Sequence, residues 1–91
     1  MREYLDTSGR LSIELDNDDR QFNLYASRFK NKIKARLIQR LDSPDQRYWD
    51  FDVHGVKVVL HCDAFAGVSL HVEDGSDDEL LRSLADKLSK D

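Results

Sequence analysis

Hydrophobic and polar residues alternate strictly in the segment RLSIELD, residues 10–16. Leu11, Ile13 and Leu15 fall on one side of an extended chain, and polar residues fall on the other side. This pattern predicts a β-strand with one buried face. The next residues, NDD at 17–19, are favoured at helix N-termini, so we expect a helix to begin there.

The following segment has apolar residues at helical spacing, which predicts one buried stripe on that helix. The stripe consists of Phe22, Tyr25, Ala26, Phe29 and Ile33. Its end is ambiguous, because Leu37 and Leu41 could prolong the helical stripe while ARLIQRL, residues 35–41, also alternates. We expect a strand over 34–41, because DSPDQR then forms a short connection to the next strand, with Pro44 in the turn.

The segment DQRYWDFDVHGVKVVLHCD, residues 45–63, contains two alternating runs separated by His54-Gly55. A two-residue turn with glycine predicts a β-hairpin. Counting outward from that turn places one apolar set on the core face, and Asp52 opposite Lys57 as a cross-strand charge pair. The expected partners are Val53 with Val56, Phe51 with Val58, and Trp49 with Leu60, and Cys62 is expected on the same core face.

Two further elements complete the predicted fold. After a turn at AFAG, Val68, Leu70 and Val72 alternate with Ser69, His71 and Glu73, which predicts a strand with the polar set facing outward. The segment GSDDELLRSLADKLSKD predicts a final helix that begins with a capping box of Ser76 and Glu79. Its buried stripe is expected to be Leu80, Leu81, Leu84, Ala85 and Leu88.

These elements predict the order β-α-β-β-β-β-α within a single domain, residues 1–91. Most links are short enough for hairpins. We therefore expect an α+β fold: a single antiparallel β-sheet with two helices packed on one face.

Charge is segregated along the chain, although the net charge is only −4. Residues 27–40 contain six basic and no acidic residues, whereas residues 41–79 contain ten acidic residues against Arg47 and Lys57. An acidic surface attracts basic proteins and repels nucleic acid. The order helix-strand-strand-strand-helix resembles double-stranded-RNA-binding domains, but SDDE stands where that family presents basic residues, so we expect no nucleic-acid partner.

The single cysteine, Cys62, excludes an internal disulfide, and the chain has no apolar run of membrane-spanning length. We therefore expect a cytoplasmic protein without a membrane partner. Cys62 and His61 are neighbours on one strand, so their side chains point to opposite faces and cannot act together as nucleophile and base.

Catalytic and metal chemistry have few candidates. Asp50, His61 and His71 could meet on the open face of the sheet as zinc ligands, although the two histidines are at best diagonal. Asp50 and Asp52 lie about 7 Å apart on one face, but no cleft for a glycoside is predicted. The sequence lacks the Walker, GxGxxG, GxSxG and HExxH motifs. We therefore expect a protein that is not an enzyme, without catalytic residues, metal ligands or a cofactor.

A binding surface is the better-supported expectation. If Trp49 belongs to the core, Tyr48 points to the open face among carboxylates, where an aromatic anchor with an acidic rim suits a basic protein partner. The expected partner-binding residues are Tyr48, Asp50, Asp52, Asp63, His71 and Glu73.

The segments LDSPDQRYWDF, HGVKVVLHCD and AGVSLHV, within residues 41–72, resemble small bacterial immunity proteins of polymorphic toxin systems, including contact-dependent growth inhibition. The resemblance implies a small cytoplasmic protein, often acidic, that neutralises a cognate toxin, commonly a basic nuclease, by covering its active site. Two alternatives from other classes remain: a regulatory or assembly module that forms a homodimer through strand edges, and a metal-dependent enzyme.

Overall fold

The computed structural model describes residues 1–90 and shows a six-stranded antiparallel sheet with two helices packed on one face. The element order is β-β-α-β-β-β-β-α, and the strands lie in the order β1-β2-β6-β5-β4-β3. The elements are β1 (Arg2–Leu5), β2 (Leu11–Asp16), α1 (Phe22–Arg28), β3 (Arg36–Asp42), β4 (Gln46–Val53), β5 (Val56–Asp63), β6 (Gly67–Val72) and α2 (Asp78–Leu88). The predicted α+β class and the packing of both helices on one face are confirmed.

The strand β1 is missing from the predicted order. It pairs with β2 along Arg2 to Leu5, at the edge of the sheet. All four of its residues are exposed, so the alternation that marks a half-buried strand is weak in this segment. The strand at Leu11–Asp16 is therefore an interior strand, between β1 and β6.

The helix α1 follows a single turn of 3-10 helix, Asp19–Gln21, which is capped by the Asp18 carboxylate as it accepts a hydrogen bond from the Arg20 N–H. A π-helical turn, Phe29–Ile33, continues α1 and ends at Lys34, which has a positive φ of 63°. This left-handed residue stops the helical stripe before Leu37. The predicted strand at 34–41 is therefore confirmed, with bounds Arg36–Asp42.

The central hairpin has the predicted register. Val53 pairs with Val56 and Trp49 with Leu60, and both turn residues, His54 and Gly55, have positive φ, as a type I′ turn requires. On the core face, Phe29 of the π-helical turn stacks on Phe51, with ring centroids 4.4 Å apart. This stack fixes the helical layer against the hairpin.

The predicted charge pair between Asp52 and Lys57 is wrong, although the two residues are paired in the ladder. The Asp52 carboxylate turns to accept a hydrogen bond from the Gly55 N–H, at 3.0 Å. Its nearest cation is Arg36 on β3, at 3.9 Å, and Lys57 reaches Glu73 beyond β6, at 3.2 Å. The ion pairs thus join β3 to β4, and β5 to the residue that follows β6.

The predicted capping box of α2 is also wrong. The N-cap is Asp77, whose carboxylate accepts a hydrogen bond from the Leu80 N–H at 3.0 Å. The Ser76 hydroxyl instead donates to Asp74, which forms the turn before the helix. The predicted stripe of α2 is confirmed: Leu81, Leu84, Ala85 and Leu88 are buried, and Leu80 is partly buried against the same core.

Two irregularities shape the sheet. A bulge interrupts the pairing of β3 with β4 between Leu37 and Gln39, and another interrupts β2 and β6 after Glu14. Gly67, at the start of β6, has a φ of 82°, and a Cβ there would lie 2.2 Å from the Asp16 carbonyl oxygen. Only glycine fits this approach of two backbones. In the described residues, no helix is long and apolar enough to cross a membrane.

Candidate functional site

The face of the sheet opposite the helices is covered by no helix of the described chain, and we call it the uncovered face. Antiparallel pairing arranges its side chains in rows that run across the strands. One row consists of Tyr4, Ser12, His71, Val59 and Asp50, and the next consists of Glu14, Ser69, His61, Tyr48 and Leu41.

The centre of the uncovered face is buried although no second layer covers it. Ser12, Ser69 and His71 expose only 3%, 6% and 8% of their surface. Tyr48 stacks on His61, with ring centroids 4.2 Å apart and an interplanar angle of 10°. Larger neighbours thus shield small polar groups on the inner strands.

A cavity of about 270 Å³ lies over this centre, and we call it the open-face cavity. It is lined by Ser12, Ser69, His61 and His71, by the flanking rings of Tyr4 and Tyr48, and by the β1–β2 loop, including Asp6 and Arg10. The sheet therefore provides the polar groups, and a hairpin loop provides one side of the cavity.

The polar groups of this cavity have few partners. The Nε2 atom of His61 is buried without a hydrogen-bond partner. The side chains of His71, Ser12 and Ser69 also form no hydrogen bond to any group of residues 1–90. Buried polar groups in folded proteins are nearly always hydrogen-bonded, so the buried Nε2 of His61 is unusual, and the polar atoms of the other three residues are left to face the cavity.

Both imidazoles are held in the neutral form near pH 7. Burial lowers the pKa of His71 to about 4, and the nearby Arg10 guanidinium and His61 add to this shift. Burial also lowers the pKa of His61, while Asp63 opposes that change. A neutral imidazole has one N–H donor and one acceptor nitrogen, so each histidine is able to hydrogen-bond a ligand in either sense.

Asp50 is a charged residue of the uncovered face whose carboxylate lacks a partner in the described chain. Its side chain is half-buried opposite Val59, and within residues 1–90 it has neither an ion pair nor a hydrogen bond. Burial raises its pKa; Lys57 opposes that shift and Glu73 adds to it. A carboxylate in this position gains free energy from a cation that reaches it.

The structure brings five of the predicted binding residues onto the uncovered face, namely Tyr48, Asp50, Asp52, Asp63 and His71. Asp63 and Glu73 lie at opposite ends of the sheet. Asp63 accepts a hydrogen bond from the Phe65 N–H in the β5–β6 turn, whereas Glu73 follows β6 and pairs with Lys57.

The character of this face also differs from the sequence prediction. The predicted outward direction of His71 is correct, but its side chain is buried within the face. Arg36 and Lys57 partly neutralise the predicted acidic surface, because they lie beside Asp52 and Glu73.

The alternative zinc site is not assembled. Among the described residues, no group of three or more His, Cys, Asp and Glu side chains could hold a metal ion. Val59 separates Asp50 from His71 in one row, and His61 lies in the next.

Sequence reasoning named neither Ser12 nor Ser69 as a site residue, and it missed one whole side of the cavity, formed by Tyr4, Asp6, Thr7 and Arg10. These last four residues belong to β1 and to the loop after it. The segment DTSGR, residues 6–10, contains a turn signal that could have indicated a hairpin.

A family model described as protein of unknown function (DUF3630) matches residues 1–89, nearly the whole chain. No curated protein and no solved structure gives a significant match. The match includes every strand of the uncovered face and both helices. The chain therefore belongs to the DUF3630 family, whose function is unknown.

Proposed function

We propose that this chain is a non-catalytic, cytoplasmic binding protein: an immunity protein that neutralises a cognate bacterial toxin. In this proposal, a basic surface of the toxin, such as the active site of a nuclease, docks on the uncovered face of the sheet. The toxin is then inactive because its active site is covered.

The observation that carries the proposal is the half-buried, unpaired carboxylate of Asp50, which lies on β4 in a face that no helix of the described chain covers. An isolated carboxylate that is partly removed from water destabilises the fold unless a cation or a hydrogen-bond donor pairs with it. An arginine or lysine from a partner would supply the missing ion pair. Fully desolvated charge pairs of this kind are frequent anchors of protein interfaces.

The surroundings of Asp50 suit the same role. Tyr48 precedes it by two residues on the same face, and the exposed Leu41 lies beside Tyr48 on the edge strand β3. The charged residues Asp52, Lys57 and Glu73 lie toward one end of the face, beyond this patch. A core with aromatic residues and few charges, surrounded by a polar rim, is the usual anatomy of a protein interface.

The resemblance to immunity proteins supports the choice of partner. Residues 41–72, which carry it, provide β4, β5 and β6 and most of the uncovered face. The net charge of −4 favours the approach of a basic protein over long distances. At short range, basic side chains of the toxin would contact Asp50 and Tyr48.

Coexpression with the product of the adjacent gene tests the proposal. If that product is toxic to cells, the wild-type chain is expected to restore growth, and Asp50→Lys is expected to weaken the complex by at least about tenfold because it replaces an ion pair with a repulsion. Glu79→Lys is the matched control, because it makes the same change in net charge on the exposed surface of α2. Equal affinity of both variants would remove Asp50 from the interface, and a non-toxic product that does not bind would contradict the immunity function.

A homodimer is a second candidate, and the exposed edge strand β1 favours it. Leu5 at this edge exposes 70% of its surface, and every residue of β1 is exposed. An unpaired strand edge can pair with a second copy of the chain. Light scattering of the purified protein tests this, since a mass of 10.6 kDa at all concentrations would contradict a dimer.

A further inference from the structure

We propose that the open-face cavity binds a small oxyanion, a carboxylate or a phosphate, through the imidazoles of His61 and His71 and the hydroxyls of Ser12 and Ser69. The proposal does not require a protein partner, because the ligand groups belong to β2, β5 and β6 and do not include Asp50, although Tyr48 borders both the cavity and the patch around Asp50.

The first argument is the accumulation of hydrogen-bonding groups without partners. His71 is more than nine-tenths buried, lines the cavity, and has no hydrogen bond to the described chain. Ser12 and Ser69 are buried residues that also line the cavity without a side-chain hydrogen bond to residues 1–90. The Nε2 atom of His61 is fully buried and has no partner among the described residues. A ligand in the cavity would satisfy several of these groups at once.

The second argument concerns the sign of the ligand's charge. Within residues 1–90, Asp6 is the only carboxylate that lines the cavity. It already accepts four hydrogen bonds, from the N–H and hydroxyl of Ser8 and from the N–H and Nε of Arg10. These bonds hold the pKa of Asp6 far below its usual range and leave the carboxylate little capacity for a cation. The cavity otherwise presents hydroxyls, imidazoles and the Arg10 guanidinium.

The third argument is the orientation of Arg10. Its Nε donates to Asp6 at 2.8 Å and its Nη1 donates to the Glu73 carbonyl at 3.0 Å. These bonds fix the guanidinium at the side of the cavity and leave its Nη2 without a partner among residues 1–90. A fixed guanidinium with a free N–H group is a frequent element of carboxylate and phosphate sites.

Proton uptake should accompany binding, because an anion beside an imidazole favours its charged form. His71 interacts electrostatically with groups from the β1–β2 loop, from β5 and from the end of β6; these are Asp6, Arg10, His61 and Glu73. The tyrosines of the cavity, Tyr4 and Tyr48, add no charge near pH 7. A proton taken from solvent onto His71 would therefore be stabilised chiefly by the bound anion, and affinity is expected to rise as the pH falls from 7.5 to 5.5.

Titration of the isotope-labelled chain with inorganic phosphate and, separately, with acetate tests the proposal by NMR. Sodium chloride maintains the ionic strength and serves as the control for general salt effects. We expect saturable shifts at the backbone amides of residues 12, 61, 69 and 71 and at the imidazole nitrogens of His61 and His71. The stronger of the two titrations identifies the ligand as a phosphate or a carboxylate.

Two variants separate the role of hydrogen bonding from that of protonation. Ser69→Ala removes one hydroxyl and should weaken binding several-fold at every pH. His71→Gln keeps a donor but cannot take up a proton, so it should abolish the rise in affinity, which in the wild type is at most about tenfold per pH unit for one proton. His54→Asn, in the exposed β4–β5 turn, is the control and should behave as wild type.

Three results would overturn the proposal. These are the absence of saturable shifts at the cavity with either anion at pH 5.5, saturation at the basic residues 28–40 instead, and binding of Zn²⁺ at His61 and His71 without binding of anions. Failure in any of these ways leaves the docking proposal untouched, because toxin binding by the Asp50→Lys variant is measured separately.

Discussion

Acidification should destabilise the protein through His71. This residue exposes 8% of its surface, and its pKa in the folded chain is about 4, whereas a histidine in the unfolded chain has an ordinary pKa of about 6.5. Above pH 6.5 the imidazole is neutral in both states and pH has little effect. As the pH falls below 6.5, the unfolded chain binds a proton that the folded chain does not bind, so the free energy of unfolding decreases.

The two pKa values set the size of this effect. One pKa unit corresponds to 1.36 kcal/mol, so a difference of about 2.5 units limits the loss to about 3.4 kcal/mol, reached below pH 4. At pH 5 the free energy of unfolding should be about 2 kcal/mol lower than at pH 7.5 because of His71. Burial lowers the pKa of His61 as well, which adds to the loss in the same pH range.

Urea denaturation at pH 7.5 and pH 5, followed by the fluorescence of the single tryptophan, Trp49, measures this effect. Buffers without carboxylate or phosphate avoid ligands of the open-face cavity. The decrease in unfolding free energy between the two pH values should be about 2 kcal/mol smaller in His71→Gln than in wild type. The difference between the proteins cancels the contributions of carboxylates, including Asp50.

The control is His54→Asn, which removes an exposed histidine from the hairpin turn and should retain the wild-type decrease. Equal decreases for wild type and His71→Gln would refute the argument, because they would mean that His71 is protonated in the folded chain at the ordinary pH. If His54→Asn abolished the decrease, the effect would belong to His54 and not to His71.

Two further expectations concern the fold itself. Gly67→Ala should destabilise the protein by at least ~2 kcal/mol, because it adds a clash with the Asp16 carbonyl to the strain of a positive φ. Gly55→Ala has similar strain without a neighbour within 4 Å, so urea denaturation should show a smaller loss, and equal losses would exclude the clash. Asp77→Ala should lower the free energy of unfolding by about 1 kcal/mol, because it removes the helix cap, whereas Ser76→Ala should have a smaller effect on thermal stability. A larger effect of Ser76→Ala would indicate that Ser76 caps the helix after all.

The sequence was most informative where local turn chemistry and alternation agree. The His54-Gly55 turn and the apolar residues on both sides of it determine the register of β4 and β5, because a slip by one residue would expose Trp49 and Phe51. The details of charge pairing were not predictable in the same way. The long side chain of Lys57 is able to reach carboxylates on several strands, and it pairs with Glu73. The residue pattern of a single hairpin does not indicate which of these carboxylates lies closest.

The candidate site was predictable only in part. Tyr48 and Asp50 follow directly from the register of the hairpin. The open-face cavity was not found, because it depends on β1 and its loop, where exposed residues leave no clear periodic pattern. The burial of His71 was also missed, since alternation gives the direction of a side chain but not the size of its neighbours.

The two edges of the sheet are not equally open to a further strand. At one edge, the bulge in β3 and the exposed cations Arg36 and Arg40 hinder the regular hydrogen bonding that strand addition needs. At the other edge, β1 has neither a bulge nor a cationic stretch beyond Arg2. A peptide or second copy that extends the sheet should therefore join β1. Its side chains would then lie next to Tyr4 and narrow the entrance to the open-face cavity. Strand addition would in this way be coupled to the access of a ligand.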